Sequence, residues 1–236
     1  MNKYEKESNT SYTLGTTLTL ELLNKKIDKA RRVYIHSKQD NNDTLSRILE
    51  ICKTNNIEVV YSDKTINKLS DKENCFIVGE FEKFDCEIDY NENTICLVNP
   101  SNAGNLGTII RTCAGFNIKN LVIIEPAVDI FNPKVVRASM GAIFNVNFKY
   151  FKSFDEYKEK TNNKFYPFML KGSTSLSKVE KTSPYTLIFG NEATGLDDSY
   201  LEVGTPIIIM HSNNIDSLNL DNAASIAVYE FTKKDF

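Results

Sequence analysis

Several features that this chain lacks exclude whole classes of protein. It has no run of about 18 apolar residues, the length that a membrane-spanning helix needs, and its polar N-terminus predicts no secretory signal core. Its five cysteines form no C-x-x-C pair, and its two histidines, His36 and His211, lie far apart in the sequence. This usage predicts a reduced cytoplasmic protein without structural zinc or any other metal site.

Nucleotide-binding fingerprints and internal repeats are also missing. Neither G-x-G-x-x-G nor a Walker lysine motif is found, which argues against a nucleotide-dependent oxidoreductase and a nucleoside triphosphatase. The net charge of -3 argues against broad electrostatic coating of nucleic acid, but it allows a local basic patch. The densest group of cations, called here the basic cluster, comprises Lys25, Lys26, Lys29, Arg31 and Arg32. Phosphate contact and a solvated helix end are both open interpretations of it.

The pattern of apolar residues predicts two domains within the 236 residues. Residues 1–10 are predicted to be a disordered tail, 11–84 a small α/β module, and 85–94 an acidic linker. From 95 to 236, strands alternate with helices, which predicts an α/β domain with a mainly parallel sheet. The predicted strands are 95–98, 121–124, 144–149, 166–170, 186–189 and 207–210, and the predicted helices are 106–116, 133–140, 154–160 and 218–233.

Three segments rich in small and polar residues adjoin strand-like runs in this second region. They span residues 99–111, 189–196 and 217–224. Turns at the ends of neighbouring strands are where α/β sheets bind ligands, so the three segments predict one composite site. In the first of them, Pro100 ends a strand, and the following helix N-terminus can hold an anion through its free amides.

The residues of these segments also carry a resemblance. The stretches Asn105–Arg111, Gly190–Leu196 and Ser217–Leu220 resemble, in order and spacing, the three motifs of the SpoU (TrmH-like) branch of the SPOUT RNA methyltransferases. The stretch Lys134–Gly141 is similar to that family's intermotif segment. The resemblance covers about residues 95–233. The N-terminal module resembles, at the level of the fold, the small RNA-binding domain that often precedes the catalytic domain.

The resemblance implies a fold, a reaction and a set of site residues. It implies a C-terminal trefoil knot, a homodimer with composite sites, and transfer of a methyl group from S-adenosylmethionine to a ribose 2′-hydroxyl of rRNA or tRNA. Carried over by position, the cofactor residues are Gly190, Gly195, Ile209 and Leu218. The candidate catalytic residues are Asn105, Arg111, Glu192, Ser217 and Asn219. Arg137 joins the basic cluster as a candidate RNA contact, with a solvated helix face as its alternative.

The chemistry of these residue types leaves alternatives open. Arginine is effectively always protonated, so we favour Arg111 as a ligand of phosphate and of the developing oxyanion, with a plain surface arginine as its alternative. Glu192 could instead satisfy amides in its own turn, and Ser217 and Asn219 could be helix N-caps. His211 is interpreted as a surface residue. A non-catalytic RNA-binding protein that retains the knotted fold is the alternative function.

Overall fold

The computed structural model describes residues 4–70, 72 and 74–236. The regular elements, in chain order, are β1 (Thr10–Leu14), α1 (Thr16–Lys25), β2 (Ala30–Ile35), α2 (Asp43–Thr54), β3 (Glu58–Tyr61), α3 (Asp63–Leu69), β4 (Ile77–Glu82), β5 (Thr94–Val98), α4 (Ala103–Gly115), β6 (Asn120–Ile124), α5 (Pro133–Ala138), β7 (Asn147–Phe151), α6 (Phe154–Lys158), β8 (Lys164–Pro167), β9 (Thr174–Ser175), β10 (Tyr185–Phe189), β11 (Ile207–Ile208) and α7 (Leu220–Thr232). None of the described helices is long and apolar enough to cross a membrane.

The chain divides into two compact units, and the division differs from the predicted domains. Unit 1 consists of residues 1–84 and 129–145, and unit 2 consists of 85–128 and 146–236. The sequence placed 129–145 in the second domain. This segment joins unit 1 because its aromatic side chains pack there: the Phe131 and Phe84 rings meet edge to face, with 5.0 Å between their centroids.

Unit 1 is built on a four-stranded sheet in the order β1-β4-β2-β3. The pairs β1–β4 and β4–β2 are antiparallel, and β2–β3 is parallel. Helix α2 is capped by Asn42, whose side chain accepts a hydrogen bond from the Leu45 amide at 2.9 Å. Its buried residues recur at helical spacing, and they are Leu45, Ile48 and Cys52. The side chain of Ile66 in α3 packs with Tyr34 and Val78 of the sheet.

Unit 2 is built on a five-stranded parallel sheet in the order β7-β6-β5-β10-β8. Every residue of β5, β6 and β10 is buried, as expected for a parallel sheet that is covered on both faces. The predicted α/β fold with a mainly parallel sheet is therefore confirmed. From β5 the strands run outward through β6 to β7. The chain then crosses to the opposite edge of the sheet at β8, and β10 lies between β8 and β5, so the direction of strand order changes between β5 and β10, which makes this the topological switch point.

Several predicted boundaries differ from the observed ones. The strand predicted at 144–149 corresponds to β7. It begins later than predicted, at Asn147, because residues 142–145 form a short 3-10 helix. The strand predicted to reach 210 pairs only over Ile207–Ile208 with β9. In the predicted tail, residues 1–3 lie outside the described residues, residues 4–9 include a turn, and β1 begins at Thr10. The apolar pattern does not predict strand β1, because its alternate residues Ser11 and Thr13 are polar yet buried.

Candidate functional site

The first motif forms the loop after β5 and the start of α4. Asn102 is the N-cap of this helix, because its side-chain oxygen accepts hydrogen bonds from the amides of Gly104 at 2.8 Å and Asn105 at 3.2 Å. This cap explains why α4 begins at Ala103, three residues before the predicted start. Asn105 therefore lies in the first turn, and Arg111 lies on the same helix with its side chain exposed.

Glu192 connects the second motif to this helix start across the switch point. One carboxylate oxygen accepts from the Ser101 amide at 3.0 Å and hydroxyl at 2.8 Å. The other accepts from the Asn102 amide at 3.1 Å and the Asn105 side-chain amide at 3.2 Å. Burial raises the pKa of the Glu192 carboxyl, but the hydrogen bonds to its charged form outweigh burial, so this pKa is lowered. Glu192 is therefore an ionised positioning group whose oxygens are already engaged by the first motif.

The loop that carries Glu192 is closed by its neighbour Asn191. The Asn191 side chain donates to the Asn99 carbonyl at 2.8 Å and accepts from the amides of Ala193 at 2.8 Å and Thr194 at 3.3 Å. A Cβ on Gly190 would lie 2.1 Å from the carbonyl carbon of Gly195, so only glycine fits there. Sequence reasoning did not single out Asn191, although asparagine between glycines is a turn signal that could have identified it.

A cavity of about 520 Å³ opens beside this loop, within unit 2. The four predicted cofactor residues, Gly190, Gly195, Ile209 and Leu218, all line it, and Glu192 and Ser217 line it too. Its walls come from the ends of β8, β10 and β11 and from the loop before α7. This size is in the range of small-molecule sites, and the mixture of apolar side chains and tight backbone turns suits an uncharged heterocycle with polar edges.

The structure does not bring all predicted site residues to this cavity. Asn105 reaches it only through its hydrogen bond to Glu192. Arg111 does not line it, and its side chain forms no hydrogen bond or ion pair with any residue that the structure describes. Asn219 occupies the N-cap position of α7, but its side chain makes no capping hydrogen bond. His211, interpreted as a surface residue, is half-buried and lines the cavity, with Nδ1 3.0 Å from the Ser212 carbonyl oxygen.

The basic cluster lies in unit 1, and its two arginines are already paired. Arg31 forms an ion pair with Glu82. Arg32 donates to Glu58 at 2.6 Å and to the Tyr34 hydroxyl at 3.1 Å.

The lysines of the cluster are less constrained. Lys26 lies 5.0 Å from the centroid of the Phe84 ring, Lys29 lies 3.7 Å from Asp28, and Lys25 is exposed. Arg137 is half-buried at the end of α5, also in unit 1. Across the residues that the structure describes, no group of three His, Cys, Asp or Glu side chains is arranged to hold a metal ion.

Comparison with known proteins identifies the family. The model of the SpoU rRNA methylase family matches residues 92–229, more than half of the chain. A Listeria innocua protein, named as a candidate tRNA (cytidine(34)-2′-O)-methyltransferase, is 35% identical over 145 residues, which cover 58% of this chain and 85% of that protein. The 23S rRNA (guanosine(2553)-2′-O)-methyltransferase RlmP of Bacillus subtilis is 29% identical over 53% of this chain and 52% of its own length.

Solved structures match nearly the whole fold. An AdoMet-bound rRNA methyltransferase from Sinorhizobium meliloti superposes with a TM-score of 0.83 at 22% identity, covering 98% of this chain and 89% of that one. The SpoU methyltransferase AviRb of Streptomyces viridochromogenes, in complex with AdoMet, gives 0.83 at 18% identity, covering 96% and 91%.

The chain therefore belongs to the SpoU rRNA methylase family. The predicted family and the enzyme class of methyltransferase are confirmed, and the AdoMet-bound structures that share the fold agree with the predicted cofactor.

Proposed function

We propose that this chain methylates a ribose 2′-hydroxyl of a structured tRNA or rRNA, with S-adenosylmethionine bound in the cavity of unit 2. One observation carries the proposal: all three motif loops meet at the β5–β10 switch point. The second and third loops line one cavity, and Glu192 of the second loop accepts hydrogen bonds from the first. The names of the two relatives cover both tRNA and rRNA, so both substrate classes belong to the proposal.

The cofactor fits the residues that are present. Backbone groups of the 190–195 loop would hold its polar edges, while the side chains of Ile209 and Leu218 would pack against its adenosyl part. When bound, S-adenosylmethionine supplies an electrophilic methyl group on a sulfonium, which needs no further activation by the protein. The remaining task of the chain is to align the ribose and to manage the charge that develops on its 2′-oxygen.

We assign to Arg111 the stabilisation of the charge that develops on the ribose 2′-oxygen. Its guanidinium can bind a backbone phosphate and the developing oxyanion together through its planar fork of donors. Ser217, at the edge of the cavity, and Asn219, two residues further on, offer polar groups that can orient the ribose. Glu192 is unsuited to accept the proton, since its lowered pKa makes it a weak base and its oxygens are engaged. Its role is to position Asn105 and the start of α4.

The exposure of Arg111 supports a homodimer with composite sites. Within one chain, Arg111 does not line the cavity. Helix α7 packs against α4 through the Thr112 and Ser225 hydroxyls, 3.1 Å apart, and leaves Ile226 and Tyr229 exposed, 42% and 57%. We place an isologous two-fold contact on this apolar face, which would bring Arg111 to the partner's cavity. A monomer mass by light scattering for a fully active enzyme would contradict this arrangement.

The knot and the role of unit 1 complete the proposal. A trefoil knot in the C-terminal region is supported by the placement of β10 between β5 and β8, with residue 207 bridging back to Phe168.

Unit 1 is proposed to select the RNA through the lysines of the basic cluster and Arg137. Its arginines are weaker candidates, because Glu58 and Glu82 already neutralise them.

The substrate is tested by mapping 2′-O-methyl positions in tRNA and rRNA from cells with and without this protein. The proposal expects one position, or a small related set, to lose its methyl group when the protein is absent. It also expects wild-type protein to restore the modification and the Arg111→Ala variant to fail. Unchanged maps in both RNA classes would contradict it. RNA binding without any methyl transfer would favour the non-catalytic alternative.

A further inference from the structure

Two phenylalanine rings form the aromatic wall of the cavity. Phe168 and Phe189 both line it, and their rings are stacked with 4.6 Å between centroids and 16° between planes. The only other ring among its lining residues is the imidazole of His211. The remaining apolar lining, such as Ile207 and Leu218, is aliphatic. A flat ring that enters this cavity therefore meets one flat apolar surface.

The backbone fixes this stack without help from a ligand. Phe168 follows β8 directly, and Phe189 is the last residue of the adjacent parallel strand β10. The Phe168 amide donates to the Ile188 carbonyl at 2.9 Å, and the next amide, of Met169, donates to the Ile207 carbonyl at 2.9 Å. Because Phe168 is held between two strands, the position of its ring is pre-organised, which reduces the entropy lost on binding.

The two rings differ in what they can contact. Phe189 is only 2% exposed and supports the stack from inside, whereas Phe168 is half-buried and presents ring surface to the cavity. Nearby backbone groups, in the turn from Gly190 to Gly195 and at Ile209 after β11, can satisfy the polar edge of a heterocycle whose face lies on Phe168. Stacked aromatic pairs gain energy beyond the area that they bury.

From this geometry we propose that Phe168 is a positioning and specificity residue that packs against the adenine ring of the cofactor. This inference rests on the proposed function and assigns a role to a residue outside the three motifs. Phe168 would then select adenosyl compounds by their purine and hold the adenosyl group in a fixed orientation, with Phe189 as a rigid backing.

The test is calorimetric binding of S-adenosylhomocysteine and of methylthioadenosine, which retains the adenine without the amino acid. Phe168→Leu should weaken both by about three- to tenfold, whereas Phe168→Tyr, which keeps the ring, should stay near wild type. The matched control is Phe165→Leu in β8, because the Phe165 ring packs on Phe154, with 5.4 Å between centroids, and does not line the cavity. Equal affinities in the wild type and Phe168→Leu would overturn the inference.

A second readout is independent of the stability of the leucine variant. The chain contains no tryptophan, so Phe168→Trp introduces a single tryptophan into the cavity wall, and its emission can be excited apart from that of the tyrosines. Saturating methylthioadenosine should change its emission while free methionine should not, and Tyr61→Trp on the surface of unit 1 should respond to neither. Unchanged emission on saturation would overturn the inference even if Phe168→Leu unfolds. Failure of the wild type to bind any adenosyl compound would instead refute the proposed function.

Discussion

Glu192 is the side chain that connects the first and second motifs of the site. Its two oxygens accept four hydrogen bonds from a segment about 90 residues earlier in the chain, at the start of α4. Hydrogen bonds to a charged acceptor are stronger than those between neutral groups. The carboxylate therefore fixes the position of the first motif relative to the second, and it also holds the side chain of Asn105 in place.

Removal of this carboxylate should destabilise unit 2. Glu192→Ala removes the acceptor of the Ser101 and Asn102 amides, which water can partly replace because both residues are exposed, and we expect a loss of about 0.5–1.5 kcal/mol in the free energy of unfolding, measured by chemical denaturation. The exposed Glu202 provides the control, and Glu202→Ala should be neutral. A neutral Glu192→Ala would contradict the positioning role.

The same carboxylate predicts a pH dependence. Because its pKa is lowered in the folded chain, its stabilising contribution is present above the ordinary glutamate pKa and is lost as pH falls through the lowered value. In Glu192→Gln, the decrease in unfolding free energy that comes from protonating this carboxylate at low pH should be absent. Wild-type and Glu192→Gln curves of unfolding free energy against pH should therefore converge at low pH, and parallel curves would exclude the linkage.

Arg111 is the residue on which the transition state should depend. We expect Arg111→Ala to reduce the single-turnover rate of methyl transfer by on the order of a hundredfold, with little change in S-adenosylmethionine affinity. Arg111→Lys should rescue little, because a point charge does not replace the planar fork. A near-normal rate for the alanine variant at saturating RNA and cofactor would return Arg111 to a plain surface residue.

Among the structural elements, the loop after β10 depends most on its backbone. Gly195 has φ of 68°, and open space surrounds the position of a Cβ, so the restriction there is conformational and not steric. Gly190 is the opposite case, since a Cβ would overlap the backbone of Gly195. Both glycines thus determine the shape of the cavity wall, for different reasons.

Two substitutions at Gly195 should separate conformation from bulk. Gly195→Val places a β-branched residue at positive φ, and we expect a large loss of S-adenosylmethionine affinity by calorimetry. Gly195→Asn should retain most of the affinity, because asparagine tolerates the left-handed region. Equal effects of the two variants would indicate that side-chain bulk, not backbone conformation, controls the loop.

The comparison of sequence and structure is also clearest for the elements. Strands such as β5 and β10 could be predicted because continuous apolar runs mark buried parallel strands. Strand β1 could not, because Ser11 and Thr13 are buried polar residues that break the pattern. The contacts of Glu192 could not be predicted either, since its partners are distant in sequence. The lining of the cavity by Gly190, Gly195, Ile209 and Leu218 followed from family motifs, whereas Phe168 belongs to no motif.

For the whole molecule, we expect ion pairing in unit 1 to decide which of its cations contribute to the proposed RNA contact. Replacing Lys25, Lys26 and Lys29 by alanine should reduce the slope of log affinity against log salt by about 0.7–0.9 for each phosphate that the protein no longer neutralises. The matched change of Arg31 and Arg32 should have a smaller effect, because both form close ion pairs with carboxylates, whereas Lys29 pairs with Asp28 only at 3.7 Å. Filter binding over a range of salt measures both, and an unchanged slope in the lysine variant would place the RNA surface elsewhere.

The central claim, that unit 2 uses S-adenosylmethionine to methylate ribose in RNA, has one most direct test. Purified protein is incubated with unmodified tRNA and rRNA and with methyl-labelled S-adenosylmethionine, and the RNA is digested to nucleosides for mass spectrometry. The account predicts label in a 2′-O-methyl nucleoside from one of these RNAs, and its loss with Arg111→Ala. Label on a base, or no label from a protein shown by calorimetry to bind the cofactor, would contradict it.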